Sequence, residues 1–475
     1  MTDLLSIDPN LASPAELFDL GKVFFSGLKV QKDLKKALEL WYISANQGFA
    51  PAQLALSKAY LTGQGLKVDL TKSFNWLLKA AQAGLAEAQF ILANAYEFGQ
   101  PYGEQDRDKA FDFYLKAADQ GLAEAQCQLG FLYDHGQVVE QDLEQAVKFW
   151  ILAADQGHPQ AQNSLGKAYF YGRGIKKDLD QGLKYWRLAA VQGQAQALCS
   201  LGYAFYTGQG TPKDIFKAVA YMNQAAEQGN PVAQHFLGTL HILGTGVNQD
   251  YAKGFEYLTL AAERGLSAAQ SSLAYAYFYG HEVEQDLVKG LYYARLAAAQ
   301  DHPLALSLLG SAYASGQGVE QDIAEGLKYW RLAADLGDAQ AQSSLGSAYI
   351  SGQGLEKDPD QGLKYWRLAA DQGEADAQYL LGMYFFNKGG DQENFQEALK
   401  FWSLAADQNQ AYALYYLGDT FVNGRGVKKD LTKGLKLLER AANLGLDMAL
   451  EKLRDLKQKL PDKKGPQRLD QKPDL

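Results

Sequence analysis

Gln361–Gly373 reads QGLKYWRLAADQG, and the reading of these thirteen residues decides the fold. The same phrase returns with one or two changes at Gln181–Gly193 (QGLKYWRLAAVQG) and Glu325–Gly337 (EGLKYWRLAADLG). Looser copies stand at Gln145–Gly157 (QAVKFWILAADQG) and Gln396–Gln408 (QEALKFWSLAADQ). Self-similarity of this kind is the mark of a repeat array, in which each unit buries its apolar face against its neighbours.

A second recurring phrase, Leu-Gly-x-x-Tyr, sets the period. Its small residue, called the anchor below, falls at Gly21, Ser57, Ala93, Gly130, Gly166, Gly202, Gly238, Ala274, Gly310, Gly346, Gly382 and Gly418. The step is 36 residues except between Ala93 and Gly130, where it is 37, the extra residue falling around Pro101–Gln105. Twelve units therefore occupy 14–446: 14–49, 50–85, 86–122, 123–158, 159–194, 195–230, 231–266, 267–302, 303–338, 339–374, 375–410 and 411–446. Residues 1–13 form a lead-in, 447–460 an amphipathic helix suited to cover the last apolar face, and 461–475 a polar tail expected to be disordered.

Within a unit the spacing predicts two helices. In 159–194, Pro159 suits the first helical position, where its missing N–H costs nothing. Leu165 and Tyr169 keep helical spacing, and Gly172 and Gly174 stop helix A, because glycine accepts the left-handed conformation. Asp178 is placed to cap helix B, with Gln181 at the capping-box position. Leu183, Trp186 and Ala190 then share a face up to Gly193. The aspartate recurs at Asp33, Asp69, Asp106, Asp142, Asp214, Asp250, Asp286, Asp322, Asp358 and Asp430, with Asn394 in its place once. One per repeat, these groups cannot converge on a metal ion, and capping is the better account.

Ala-Ala pairs near the end of helix B, the anchor glycines, and Gly182, Gly254, Gly290, Gly326, Gly362 and Gly434 inside helix B point to close helix crossings. An in-register aromatic stripe, Tyr133 and Tyr169 among its members, reads as core.

Composition sets the bounds. The chain has 475 residues, 47% of them hydrophobic and 21% charged, enough to build a large core. A net charge of −9 argues against nucleic acid or an anionic membrane as the main partner. Cys127 and Cys199 occupy one frame two repeats apart, too distant for a disulfide, and read as free thiols. The first residues lack the features of a signal peptide, and no run of 18 apolar residues occurs. The expected compartment is cytoplasmic, with export by a signal-less route still compatible.

The full pattern, Ala161…Leu165-Gly166…Tyr169…Gly172-Arg173-Gly174-Ile175…Asp178…Gly182…Trp186…Ala189-Ala190…Gly193, resembles the Sel1-like repeat, a relative of the tetratricopeptide repeat. The resemblance covers about 430 residues. It implies an all-α fold, a right-handed superhelical α/α solenoid of about twelve 36-residue helix-turn-helix repeats. It also implies a non-catalytic adaptor or scaffold for other proteins, with helix A lining a concave groove. Some family members are secreted and carry a cysteine pair in each repeat, and those pairs are missing here.

By that similarity, helix A should project outward at three residues before the anchor and one, four and five after it. In mid-array these positions hold Phe131, Phe170, Tyr171, Tyr203, Tyr206, Tyr275, Phe278 and Tyr279, a candidate partner-binding groove. Packing of these rings against neighbouring repeats is the competing account. In the ninth and tenth repeats the frame turns small, with Ser307, Ser311, Ala314, Ser315, Ser343, Ser347 and Ser351.

Chemistry-bearing patterns are weak. Cys199 and His235 are two candidate zinc ligands where a structural site wants four. Ser26–Lys29 and Ser164–Lys167 match the Ser-x-x-Lys of penicillin-recognising enzymes but lack the accompanying signatures. The Gly-x-Gly pairs follow a helix rather than a strand and read as turns. The expectation is a protein or peptide partner with no cofactor, metal or catalytic residue. An effector-type role on a foreign protein is the alternative, and a β-lactam hydrolase a distant third.

Overall fold

The structure, a computed structural model, describes residues 12–27, 30–103, 105–389 and 392–459. Most of the expected lead-in and all of the expected tail lie outside these residues. The described residues contain twenty-five helices and no strand, an all-α helical repeat solenoid of twelve repeats. The chain divides into two compact units, residues 1–249 and 250–475. The first holds α1 (Pro14–Ser26) to α13 (Pro231–Leu243), and the second α14 (Tyr251–Glu263) to α25 (Asp447–Lys459). Odd-numbered helices up to α23 (Ala411–Asn423) are helix A, and even-numbered ones are helix B.

The helix ends form for local reasons. Asp178 accepts a hydrogen bond from the Gln181 N–H at 3.0 Å, so α10 (Leu179–Val191) begins there. The other ten aspartates cap their helices in the same way. Asn394 departs from the expectation. It lies inside the first turn of α22 (Gln392–Asp407), and its Nδ2 donates to Gly389 O at 2.8 Å. Lys388 stands here where other repeats carry the capping glycine, so α21 (Ala375–Lys388) runs one residue further. At the usual turn, Gly172 has φ +72° and ends α9 (Pro159–Tyr171), its N–H reaching Ala168 O. Gly174 is needed for closeness as well, since a Cβ there would lie 2.2 Å from Leu143 O of the preceding repeat.

Three interlocking contacts build the core. First, the helix B tryptophan sits on the anchor glycine: a Cβ on Gly166 would be 2.4 Å from Trp186 Cδ1. Gly21, Gly130, Gly310, Gly346 and Gly382 face Trp41, Trp150, Trp330, Trp366 and Trp402 equally closely. Where the anchor is Ser57, Ala93 or Ala274, the facing residue is Leu77, Tyr114 or Ala294 rather than tryptophan. Second, the aromatic stripe stacks on the ring that precedes this position, as in Tyr169–Tyr185 (5.8 Å, 3°) and Tyr349–Tyr365 (5.8 Å, 5°). Third, a buried glutamine four residues before the anchor ties three helices together. Gln162 donates to Ala154 O at the end of α8 (Leu143–Asp155), and its Oε1 accepts from Gln192 just beyond α10. The same arrangement recurs at Gln126, Gln270, Gln342 and Gln378.

Glycines inside helix B have the expected cause. A Cβ on Gly182 would stand 3.0 Å from Gly166 O, and one on Gly326 2.9 Å from Gly310 O. At the end of the second unit α25 covers the last apolar face with Ala449 and Leu453, both buried.

Candidate functional site

Helix A presents two outward positions rather than four. One and five residues after the anchor, the side chains reach solvent: Tyr171 is 58% exposed, Tyr203 48%, Tyr275 54% and Tyr279 45%. Three residues before the anchor the chain is buried, as at Cys127, Asn163, Cys199, Ser307 and Ser343. Four residues after it, Phe170 and Phe278 are only 2% and 1% exposed, so neither offers a surface to a partner. The reason is the helix B glycine. Gly182 and Gly290 vacate space that Phe170 and Phe278 fill, and Phe170 also packs on Trp186 at 4.6 Å.

The remaining expected residues are half-buried. Phe131 packs against Trp150 at 5.6 Å, and Tyr206 stands edge-on to Phe236 at 4.9 Å. In the first unit, Tyr171 and Tyr203 come from consecutive helices A, and Tyr203 adds a smaller upward push to the Tyr171 hydroxyl beside that of burial. In the second unit, Tyr275 and Tyr279 lie 4.7 Å apart, and the His281 ring stacks on Tyr275 at 5.3 Å and 2°. Burial pushes the Tyr171 and Tyr279 hydroxyls above the usual phenol range, so both are neutral donors at physiological pH.

Each unit also carries a cleft on this face. In the second it has a volume of about 410 Å³ and is lined by Ala314, Trp330, Ser343, Ser347, Tyr379 and Tyr412, among others. The small residues that break the aromatic frame are what open it, a role that composition alone does not reveal. In the first unit a more polar cleft of about 440 Å³ is lined by Phe131, Asp134, Trp150, Asn163, Lys167 and Gln196, among others. The residue count along α9 places Asn163 and Lys167 on one face. Only Lys167 had drawn attention in the sequence, through the Ser-x-x-Lys pattern. Asn163 carried no signal, because its meaning lies in what surrounds it.

Ser164 is buried in α9. Cys127 and Cys199 are free and buried, and burial pushes their thiols up to about 12 and about 11, far from the thiolate form. Among the described residues no three His, Cys, Asp or Glu side chains gather around a point. No helix of the described residues is long and apolar enough to cross a membrane.

The Sel1 repeat family model matches twelve consecutive segments: 17–49, 50–85, 86–122, 123–158, 159–194, 195–230, 231–266, 267–302, 303–338, 339–374, 375–410 and 411–446. No curated protein sequence matches the chain. Among solved structures, c5321, described as a protective antigen present in uropathogenic Escherichia coli strains and displaying an SLR fold, is similar at 30% identity and a TM-score of 0.68. That match covers 90% of this chain and 91% of the other. A Sel1 repeat protein from Oxalobacter formigenes is 31% identical with a TM-score of 0.47, over 66% of this chain and 90% of its own.

Proposed function

The chain belongs to the Sel1 repeat family, and from that membership we propose that it is a non-catalytic scaffold that captures a partner protein on the outward stripe of helix A. Sel1 repeat proteins generally mediate protein–protein interaction. One observation carries the reading for this chain. The helix B phrase returns nearly unchanged at Gln181–Gly193, Glu325–Gly337 and Gln361–Gly373, whereas helix A changes from copy to copy and exposes Tyr171 and Tyr203 in one unit and Tyr275 and Tyr279 in the other. Tyrosine supplies large contact area at low entropic cost and is enriched among the residues that dominate binding.

The test is affinity capture from the native cell with the full chain, followed by mass spectrometry. It is run beside a variant carrying Tyr171→Ala, Tyr203→Ala, Tyr275→Ala and Tyr279→Ala. Because these side chains are exposed, the variant should keep its helical content and lose the specifically captured protein. Retention of the same partner by the folded variant would sink the reading. A chromogenic β-lactam assay on the purified chain is expected to show no turnover, and steady hydrolysis would reopen an enzymatic role.

The description of c5321 as a protective antigen favours a second reading, an effector-type role in which the same stripe meets a foreign protein. Recovery of the chain outside intact cells would support it, and strict retention inside them would remove it.

A further inference from the structure

Helix B of the second unit keeps a leucine in water. Two residues after the tryptophan position stand Leu260, Leu296, Leu332, Leu368 and Leu404. They fall one per repeat in α14, α16 (Leu287–Ala298), α18 (Ile323–Asp335), α20 (Pro359–Asp371) and α22. Leu332 is 51% exposed, Leu368 43% and Leu404 44%. The cause is geometric. Two residues span about 200° of helical turn, so Leu368 points away from Trp366, which sits on Gly346 of helix A. A lone chain gains nothing from a leucine there, yet the leucine stays where its neighbours change. Trp-Arg precedes it in α18 and α20, Trp-Ser in α22, Ala-Arg in α16 and Leu-Thr in α14. Single exposed leucines are ordinary, but five in register form a row.

Charges of opposite sign flank the row. Four residues before the leucine stand Lys328, Lys364 and Lys400, and three after it Asp335, Asp371 and Asp407. Along the helix axis that is roughly 6 Å to one side and roughly 4.5 Å to the other. Lys328 and Lys400 pair with acids of their own helices, Glu325 at 2.6 Å and Glu397 at 3.7 Å. Among the described residues, Lys364 and the three aspartates enter no ion pair. Neighbouring rows adjoin: burial raises the Tyr365 hydroxyl of α20, and Asp335 and Arg331 of α18 add smaller pushes up and down.

A two-fold rotation about Leu368 answers this pattern. It reverses helix direction and repeat order together. Lys364 of one copy then meets Asp371 of the other, Lys328 meets Asp407, Lys400 meets Asp335, and the leucines interleave. An anionic lipid surface would match the basic row and be repelled by the acidic one. A foreign protein would have to reproduce a spacing that this chain already carries.

We propose that helices B of the ninth to eleventh repeats form a self-complementary face on which two copies of the chain pair about a two-fold axis. Three helices about 20 Å long and about 10 Å apart offer about 600 Å² per copy, at the low end for a specific interface. The pairing is therefore weak, half complete at roughly 10–100 μM chain. It leaves the helix A stripe of each copy open and stands whether or not that stripe captures a partner.

Sedimentation equilibrium of the purified full chain, from about 1 to about 500 μM, tests this. The wild type should pass from monomer to dimer with concentration. Leu332→Ser, Leu368→Ser and Leu404→Ser together should leave a monomer throughout and, because these side chains are exposed, an unchanged melting temperature. Lys364→Asp alone, or Asp371→Lys alone, sets like charges opposite each other twice per dimer and should weaken pairing roughly tenfold or more. Mixing these two variants should restore pairing, because each altered residue then meets its complement. If the serine variant melts early, the mixing experiment decides alone. A wild type that stays monomeric overturns the proposal. So does a folded serine variant that still pairs, or a folded mixture that does not.

Discussion

Gln192 donates its side-chain amide to Gln162 Oε1 at 2.9 Å, although thirty residues separate the two in sequence. With the bond from Gln162 to Ala154 O, this fastens the end of α10 to the end of α8 through a residue of α9. The rule has informative exceptions in the same chain. Leu306 and Leu336 replace both partners, as do Leu414 and Leu444. Gln53 keeps its bond to Ala45 O, but its expected partner is Ala83, and Gln53 Oε1 is left buried and unpaired.

Ala83→Gln should therefore stabilise the array. The new amide would satisfy Gln53 Oε1, a net gain of about 1 kcal/mol. Amide exchange in α3 (Ala50–Thr62) and α4 (Leu70–Gln82) should slow about fivefold. Unchanged exchange would show that water already serves that oxygen. In the reverse sense, Gln162→Leu should cost about 1–2 kcal/mol, and adding Gln192→Leu should recover part of it, as the natural Leu306–Leu336 pair suggests.

The seat of Trp186 on Gly166 makes a packing prediction. Gly166→Ala places a methyl group 2.4 Å from the indole and should destabilise by about 1–3 kcal/mol through overpacking. Trp186→Leu made alone leaves a void. The double variant should be more stable than the two losses added, because Ser57 with Leu77 shows that the pair can be exchanged together. Strict additivity in urea denaturation would mean the contact does not couple them.

His158 and His302 give the fold a pH dependence. Each precedes a proline at the start of a helix A, and His158 Nδ1 accepts the Ala161 N–H at 3.3 Å. Burial lowers the pKa of both imidazoles, with Glu124 beside His158 and Asp338 beside His302 acting in the opposite direction. The unfolded chain then binds protons near pH 6.5 that the folded chain refuses. Stability should be full above about pH 6.5, fall as the pH drops below it, and level off beneath the folded values. Asn230 caps the same frame at 3.0 Å without titrating. His158→Asn with His302→Asn should therefore flatten the melting temperature between pH 7.5 and 5.5, and an unaltered slope would place the sensitivity elsewhere.

Asn163→Leu should raise stability by about 1 kcal/mol, because it removes an unpaired buried amide. Leu54 already fills the same frame at 4% exposure. A lower urea midpoint would mean the amide is satisfied in solution.

These features were unequally legible in the sequence. The repeat period, the aspartate caps and the glycine turns depend on residues a few positions apart, and they were read directly. Close crossing at Gly182 and Gly326 also followed, since glycine inside a helix needs a reason. The exposure of helix A did not follow from spacing. Phe170 and Tyr171 are adjacent and equally aromatic, yet one is buried because Gly182, on the next helix, makes room for it. Gln162 and Asn163 were equally silent. The tie of Gln162 depends on where Ala154 and Gln192 fall in space, and the burial of Asn163 on the helices that close over it, and no local pattern carries that.

The fixed offsets of the glutamine bonds also bear on how such a gene changes length. Each glutamine finds its carbonyl eight residues back and its amide partner thirty ahead, so the bonding is indifferent to which copy supplies them. Excision of the 36 residues 327–362 would join Gly326 to Leu363 and restore the phrase EGLKYWRLAADQG without a seam. Recombination between near-identical stretches then adds or drops one helix pair while the glutamine ties on either side keep their offsets. Copy number becomes a heritable variable of its own, set apart from the sequence of any one helix A.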